Sequence, residues 1–598
     1  GTDNKPSATS TTRGLLAVNH EATTDETRSS FFLHADGGTK TLPRPAAEVD
    51  KETAIHGISV VEVKATNGKW ATVPDSAFNF RLTSLSDNIQ IHGLARGNAL
   101  MVTKYSTDGT KTRGTMNNCG NGKTPWGTLL TTEENWSGYF TRSNTDDNTR
   151  GGATAKSVIS LSRYGRTQGA ASRHGWETSG TDDKYARWII TQGTGAATDD
   201  YRNEMNTFGY IVEIDPYDKG TALRKRTALG RMGHENATFA RVSAGQPVVA
   251  YMGDDARGEY IYKFVSDAKW DPKDAEPANR LAAGDKYLDK GTLFAARFKG
   301  DGTGVWLELS MNNPVIAGSS YFEFKSDADV AIFTRLAADA VGATKMDRPE
   351  WGGVNPKNGE VYITLTNNSN RTPASADAAN PRAYNDMKAG KEQKGNVHGH
   401  IVRLAEKNPA DAAFNWDIYL FAAEADADRA SVNLSQLTND NDLSSPDGLV
   451  FSKATGVCWI QTDDGAYTDK TNCMLLAAIP GAVGDGGAIT VNNSLGGVTG
   501  TQNTFLGAAL GEARLRRFLV SPRGAEVTGI TESADGRAIF VNIQHPGENT
   551  PAIGAGPSFT FQSQWPGNAR GAAAYGPAGR PRSATIVITR TDGGVIGV

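Results

Sequence analysis

Carboxylates, a single loop thiol and a few basic side chains recur near strand ends in this chain, and these are the residue types able to do chemistry. Cys119 lies in the glycine-rich stretch NNCGNGKTPWGTLLTTEEN (117–135), which closes on the adjacent acids Glu133 and Glu134. Further along stand Glu213 in GYIVEIDP, His234 and Glu235 in RMGHENA, Asp254 and Asp255 in YMGDDARGEY, and Asp347, Arg348 and Glu350 in KMDRPEWGG. Asp447, Asp463, Asp464 and Glu526 complete the set. So many carboxylates cannot stay ionised in one cavity without cations, because like charges raise each other's pKa. Hard divalent ions such as calcium take about six to eight oxygen ligands from such groups. A thiolate among them suits a softer metal, so the residues point to a mixed site, with a transition metal at Cys119 and calcium nearby. Arg348, two residues before Glu350, suits an anionic substrate, because guanidinium grips phosphate through two parallel hydrogen bonds. No HExxH zinc-protease spacing, GxSxG elbow or kinase set occurs. GNGKT (120–124) lacks the GxxxxGK[ST] spacing of a phosphate loop and runs into a strand-like segment.

These acids are hundreds of residues apart, so repeated elements must bring them together. Three segments superpose: PEWGGVNPKNGEVYITLTNN from Pro349, PDGLVFSKATGVCWIQTDD from Pro446, and EVTGITESADGRAIFVNIQHPGE from Glu526. Each opens with an acid (Glu350, Asp447, Glu526), turns at a second glycine (Gly359, Gly456, Gly536) and runs into a β-branched or aromatic strand. A second element, alternating with period two, recurs at Gly209, Gly258, Gly399 and Ala513. Strand–turn–strand units of uneven spacing fit an all-β, six-bladed β-propeller with helical and loop insertions and its metal site at the central channel. Residues 374–395 and 424–445 read as insertions. Residues 1–79 read as an N-terminal segment packing on a catalytic propeller of residues 80–598.

The chain has 598 residues, 38% hydrophobic and 21% charged, with 67 glycines, ample material for a core. A net charge of −4 and a pI near 6.2 give no electrostatic case for nucleic acid. No apolar run approaches the ~18 residues of a membrane span, and the polar start GTDNKPSATSTTRG is not a signal peptide. The protein is either cytosolic or numbered from after a removed leader. Of three cysteines, Cys458 and Cys473 flank a turn in VCWIQTDDGAYTDKTNCMLL, where a disulfide is sterically reasonable and would leave Cys119 over.

Taken together, CGNGKTPWGTLLTTEEN, GYIVEIDP, GHENA, YMGDDARGEYIYKFVS, RPEWGGVNPKNGEVYITLTNN, GLVFSKATGVCWIQTDD and EVTGITESADGRAIFVNIQHPGE resemble the PhoX family of calcium-dependent alkaline phosphatases over about residues 80–598. The chain departs from the family's form at Leu129 and Thr132, where tryptophan and cysteine are usual. The resemblance implies hydrolysis of phosphomonoesters at alkaline pH by two ferric ions and two or three calcium ions. It also implies twin-arginine export to the periplasm or beyond, and a monomer with no nucleic-acid partner is expected. Carried over by resemblance, Cys119, Glu134, Glu213, Glu235, Asp255, Glu350, Asp447, Asp464 and Glu526 are metal ligands. Arg348 and Asn118 contact phosphate, and Glu350 also stands in the catalytic set. The alternatives are a calcium-dependent propeller lactonase or arylesterase, which needs no thiolate, and a propeller that only binds partners.

Overall fold

The computed structural model describes residues 10–22, 33–34, 38–86, 89–550, 561–567 and 580–598. It is mostly β, and the same antiparallel meander recurs along it. Arg13–His20 pairs with Gly57–Thr66, which also pairs with Lys69–Thr72 and Phe80–Leu82. Next come Asn118–Lys123, Leu129–Glu133, Ile211–Ile214 and Arg224–Arg226, then Thr238–Phe239, Pro247–Gly253, Ile261–Lys269 and Gly291–Phe298. Pro349–Val354, Val361–Leu365, His400–Ala405 and Ala413–Phe421 form the following unit. Pro446–Phe451, Cys458–Thr462, Met474–Ala478 and Leu515–Val520 form another. Glu526–Glu532, Ala538–Gln544 and Ala584–Thr589 form the last.

The sheets bury both faces against one another, which explains near-continuous apolar runs such as IYLFAA (418–423) where alternation would mark a half-exposed strand. Trp351, Tyr362, Ile401, Leu449, Ile460 and Leu476 pack into one core between consecutive meanders. Trp459, Leu475, Val527, Ile539 and Val541 pack into the next. Each such side chain contributes about 1.5–3 kcal/mol on leaving water.

The first strands of the meanders lie side by side. Asn19 donates to the carbonyls of Cys119 (2.7 Å) and Gly120 (2.6 Å), and the Thr132 hydroxyl donates to the Glu235 carbonyl (2.7 Å). Asn236 exchanges two hydrogen bonds with the Gly352 backbone. Thr364 donates to the Asp447 carbonyl (2.6 Å), and Ser452 to Glu532 (2.7 Å). Gln544 donates to the Glu21 carboxylate (2.8 Å), returning the contacts to the first unit. The approach is close enough to demand glycine: a Cβ on Gly120 would sit 1.3 Å from the Glu235 carbonyl oxygen.

A local device repeats with the meanders. The ladder steps three residues against two at Asn118/Asn121, Pro349/Gly352 and Pro446/Leu449, a β-bulge in each first strand. Cys119, Glu350 and Asp447 are in each case the first of the two residues inside these bulges. The residue two before each has a left-handed backbone: Asn117 (φ 49°), Arg348 (φ 59°) and Ser445 (φ 53°). Gly524 (φ 66°) stands likewise before Glu526. Bulges re-aim a side chain at a strand's start, and non-glycine residues at positive φ store strain of the kind found at functional sites.

The insertion at 374–395 holds the hairpin Tyr384–Lys388/Lys391–Gly395, whereas 424–445 runs mostly through turns. Cys458 and Cys473 are free thiols, not a disulfide. The register pairs Cys458 with Ala478, five residues beyond Cys473. At ~3.3 Å per residue that separation exceeds the reach of a disulfide.

Candidate metal centre

In an antiparallel hairpin the start of the first strand and the end of the second lie at the same end. Cys119, Glu350, Asp447 and Glu526 stand at first-strand starts, while Glu134, Asp255, Asp463 and His545 follow second-strand ends. Glu235 lies just ahead of Thr238–Phe239, beside the His234–Asp254 bridge. Acids from separate meanders therefore meet in one basin. Ligand atoms of Glu21, Cys119 and Glu134 lie within 4.8 Å of one another, as do those of Asp463, Glu526 and His545. Between these groups Glu235 sits against Cys119, and Asp255 touches Glu134, Glu350 and Arg348.

The electrostatics are those of crowded anions. Burial, reinforced by neighbouring carboxylates, pushes Glu134, Glu235, Glu350 and Asp447 well above the usual carboxylate range. Burial raises the Cys119 thiol in the same way, with Glu21, Glu235 and Glu134 adding to it. Burial and Asp463 lift Glu526 to about 7, against the pull of His545. Burial would also raise Asp255, but the Arg348 guanidinium holds it below its ordinary value. Arg348 donates from Nε and Nη2 to the two Asp255 oxygens, both at 2.8 Å, and Nη2 lies 2.7 Å from Glu350 Oε1. Its side chain is 21% exposed.

The residues fit metal ions. Glu235 is fully buried and neither carboxylate oxygen has a hydrogen-bond partner. Such a group is costly unless something positive meets it. Among the described residues, Arg348 and His545 pair directly with these groups and Arg257 feels Asp255, so eight carboxylates and a thiol outnumber their side-chain cations. Thiolate plus carboxylate is a donor set for a transition metal beside hard cations.

Two of the sequence-expected ligands lie outside this basin. Glu213 is on the third strand of its meander, about two strand spacings (~10 Å) from the strand of Cys119. Its carboxylate accepts from Trp126, Thr128 and Arg226 and is a buried ion-pair partner. Asp464 caps a turn, accepting from the backbone N–H groups of Ala466 and Tyr467, while its neighbour Asp463 faces Asp447 and Glu526. Both Asn118 amide hydrogens are taken, by Thr115 Oγ1 (2.8 Å) and Thr131 Oγ1 (3.0 Å), so it braces the loop rather than offering a donor to phosphate. Glu133 pairs with Lys225, Asp254 with Arg335 and Asp347 with Arg371. Sequence reasoning missed Glu21, which sits in no motif, and His545, which follows the Gln544 position of the repeat. Beside the basin, Arg257, two residues after Asp255, lines a cavity of about 670 Å³ with Tyr260, Tyr321, Lys345 and Asn370.

The profile described as alkaline phosphatase PhoX matches residues 5–547. The solved structure of Pseudomonas fluorescens PhoX in complex with vanadate, a transition state analogue, is 35% identical, with a TM-score of 0.75. The match covers 98% of this chain and 88% of that one. A PQQ-bound aldose sugar dehydrogenase from Streptomyces coelicolor is 11% identical over 56% of this chain and 81% of that one; its TM-score of 0.22 is too low to bear on the fold. No curated protein matches the chain. With its family profile spanning most of the sequence, the chain belongs to the alkaline phosphatase PhoX family.

Proposed function

We propose that the protein hydrolyses phosphomonoesters at alkaline pH with a mixed iron and calcium cluster, and that its meanders are the six blades of a propeller whose axis carries the basin. The observation that carries this reading is Glu235, buried with both oxygens unpartnered beside Cys119. Support for the propeller is the circuit of contacts from Asn19 through successive first strands back to Glu21. Cys119, Glu21, Glu134, Glu235, Asp255, Glu350, Asp447, Asp463 and Glu526 would hold two ferric and two or three calcium ions. When bound, such ions would supply Lewis acidity for phosphoryl transfer.

The chain's own residues bind and orient. Asp255 and Glu350 fix the Arg348 guanidinium from two sides, leaving Nη1 to donate to a phosphoryl oxygen, where charge grows in the transition state. A donor held this way needs no reorientation during the reaction. The vanadate complex of the 35% identical relative supports phosphoryl chemistry for this chain. On this reading the enzyme is a monomer that works outside the cytoplasm after twin-arginine export.

The test is elemental analysis of purified protein beside a p-nitrophenyl phosphate assay, before and after chelation. Iron and calcium present together, turnover lost on chelation and Cys119→Ala losing iron while staying folded are the expected results. Full turnover after exhaustive removal of calcium overturns the reading. Turnover of lactones or aryl esters without phosphatase activity moves it to the calcium lactonase class.

A further inference from the structure

The two insertions, 374–395 and 424–445, supply none of the residues of the acidic basin, yet they meet each other at a separate cluster. Asp386 lies on the hairpin strand Tyr384–Lys388, Glu424 opens the second insertion, and His398 stands between them, just ahead of His400–Ala405. One ligand atom from each falls within 4.8 Å of the others. His398 is fully buried. Its Nδ1 meets Ser444 Oγ at 3.0 Å, while Nε2 has no hydrogen bond and faces Asp386 Oδ2 at 3.7 Å. Glu424 is 5% exposed; Lys470 pairs with its Oε2, and Oε1 has no partner.

Each of these features belongs to a ligand set. In the tautomer that donates Nδ1–H to Ser444 Oγ, the Nε2 lone pair turns toward the two carboxylates, and this is how outer hydrogen-bond partners orient a ligating imidazole. Tyr384 and Tyr467 flank the ring with centroids at 6.2 and 6.3 Å, and the Tyr384 hydroxyl accepts from the His398 backbone N–H. Bonds of ~2.0–2.1 Å place tetrahedral ligand atoms about 3.4 Å apart, so small side-chain adjustments close these three on an ion. Lys470 also reaches Asp426, so one ammonium serves three carboxylates, Asp386 included, and Glu424 keeps an oxygen unspent.

We propose that Asp386, His398 and Glu424 form a second cation site, separate from the basin, which takes one divalent first-row metal ion of the zinc or manganese class and staples the two insertions together. One imidazole nitrogen with two carboxylates is a borderline donor set and favours such ions over calcium. The site is independent of the phosphatase reading, because none of its residues lies in the basin.

The test uses the holoenzyme, titrated with Co²⁺ as a spectroscopic probe while iron and calcium are assayed in parallel. Wild type takes up one equivalent of Co²⁺ beyond its resident ions, with the visible bands of an imidazole-bound ion. His398→Ala loses that equivalent and Glu424→Gln weakens it at least tenfold, with iron, calcium and turnover unchanged. If His398→Ala does not fold, Asp386→Asn on the hairpin carries the same expectation. A wild type that binds no extra cobalt, or uptake that survives equally in the variants, overturns the proposal.

Discussion

Replacing Arg348 by alanine and, separately, by glycine divides two physical effects at one position. The guanidinium makes two 2.8 Å hydrogen bonds to Asp255 and a 2.7 Å contact to Glu350. Removing one partner of a buried ion pair costs about 3–5 kcal/mol, because the other charge is left uncompensated. Both variants lose that interaction. Arg348 also sits at φ 59°, a conformation costing about 1–2 kcal/mol for a residue with a Cβ. Glycine escapes this cost but adds freedom to the unfolded chain, worth roughly 0.5–1 kcal/mol the other way. Arg348→Gly should therefore be more stable than Arg348→Ala by about 0.5–1 kcal/mol, with both well below wild type. The assay is urea unfolding of the metal-stripped proteins, read at a common m-value. An alanine variant as stable as the glycine variant refutes the strain argument, and two variants within about 1 kcal/mol of wild type refute the ion-pair argument. In the loaded enzyme, Arg348→Ala should lose about 10²–10³ in kcat, the usual cost of one lost transition-state donor. Arg348→Lys should not rescue it, lacking the planar fork.

Three further outcomes follow. Glu213→Gln should lose about 3 kcal/mol of stability, Arg226 keeping Asp285 and Asp289, with iron and calcium content unchanged; metal loss at unchanged stability would return Glu213 to the centre. Glu21→Gln preserves the shape that Gln544 bonds but removes a charge beside Cys119 and Glu134, so metal affinity measured by competition with a chelator should fall at least tenfold; unchanged affinity excludes Glu21 as a ligand. The metal-stripped protein should lose stability as pH rises from about 4.5 to about 7, because a Glu526 carboxyl whose pKa is raised to about 7 holds its proton in the folded state after the unfolded chain has released it. Denaturation across that range should show the fall and calcium should flatten it; a rise in stability over the window contradicts the sign.

How far the sequence could be read is clearest at the bulges. The repeat beginning at Glu350, Asp447 and Glu526 was visible because the same acid–glycine–strand–turn pattern recurs, and Cys119 occupies the same bulge position in a shorter version. Pleat and register were not visible. Of the neighbours Asp463 and Asp464, only the extra residue in the Pro446/Leu449 bulge and the pairing Pro446–Thr462 decide which side chain turns inward. Glu213 enters the ligand set by resemblance, and alternation could not have set it apart, because Ile211–Ile214 is buried on both faces and says nothing about direction. Its true partner, Arg226, comes from the strand paired alongside, where Arg224 faces Glu213. Glu21 left no trace, being a single acid outside any repeat, delivered by the pairing of Arg13–His20 with Gly57–Thr66. The free thiols at Cys458 and Cys473 follow from register as well, since a turn in sequence does not say which residues end up opposite.

The Gln544–Glu21 contact joins side chains 523 positions apart and closes the basin between the first and last meanders. A polypeptide arrested before Glu526 lacks a wall of it, and a cut that releases Arg13–His20 removes another while sparing every later meander. On the proposed reading, ion uptake would report that the strands carrying Glu21 and Glu526 have met, so a molecule cut between them would be told from an intact one by its metal content.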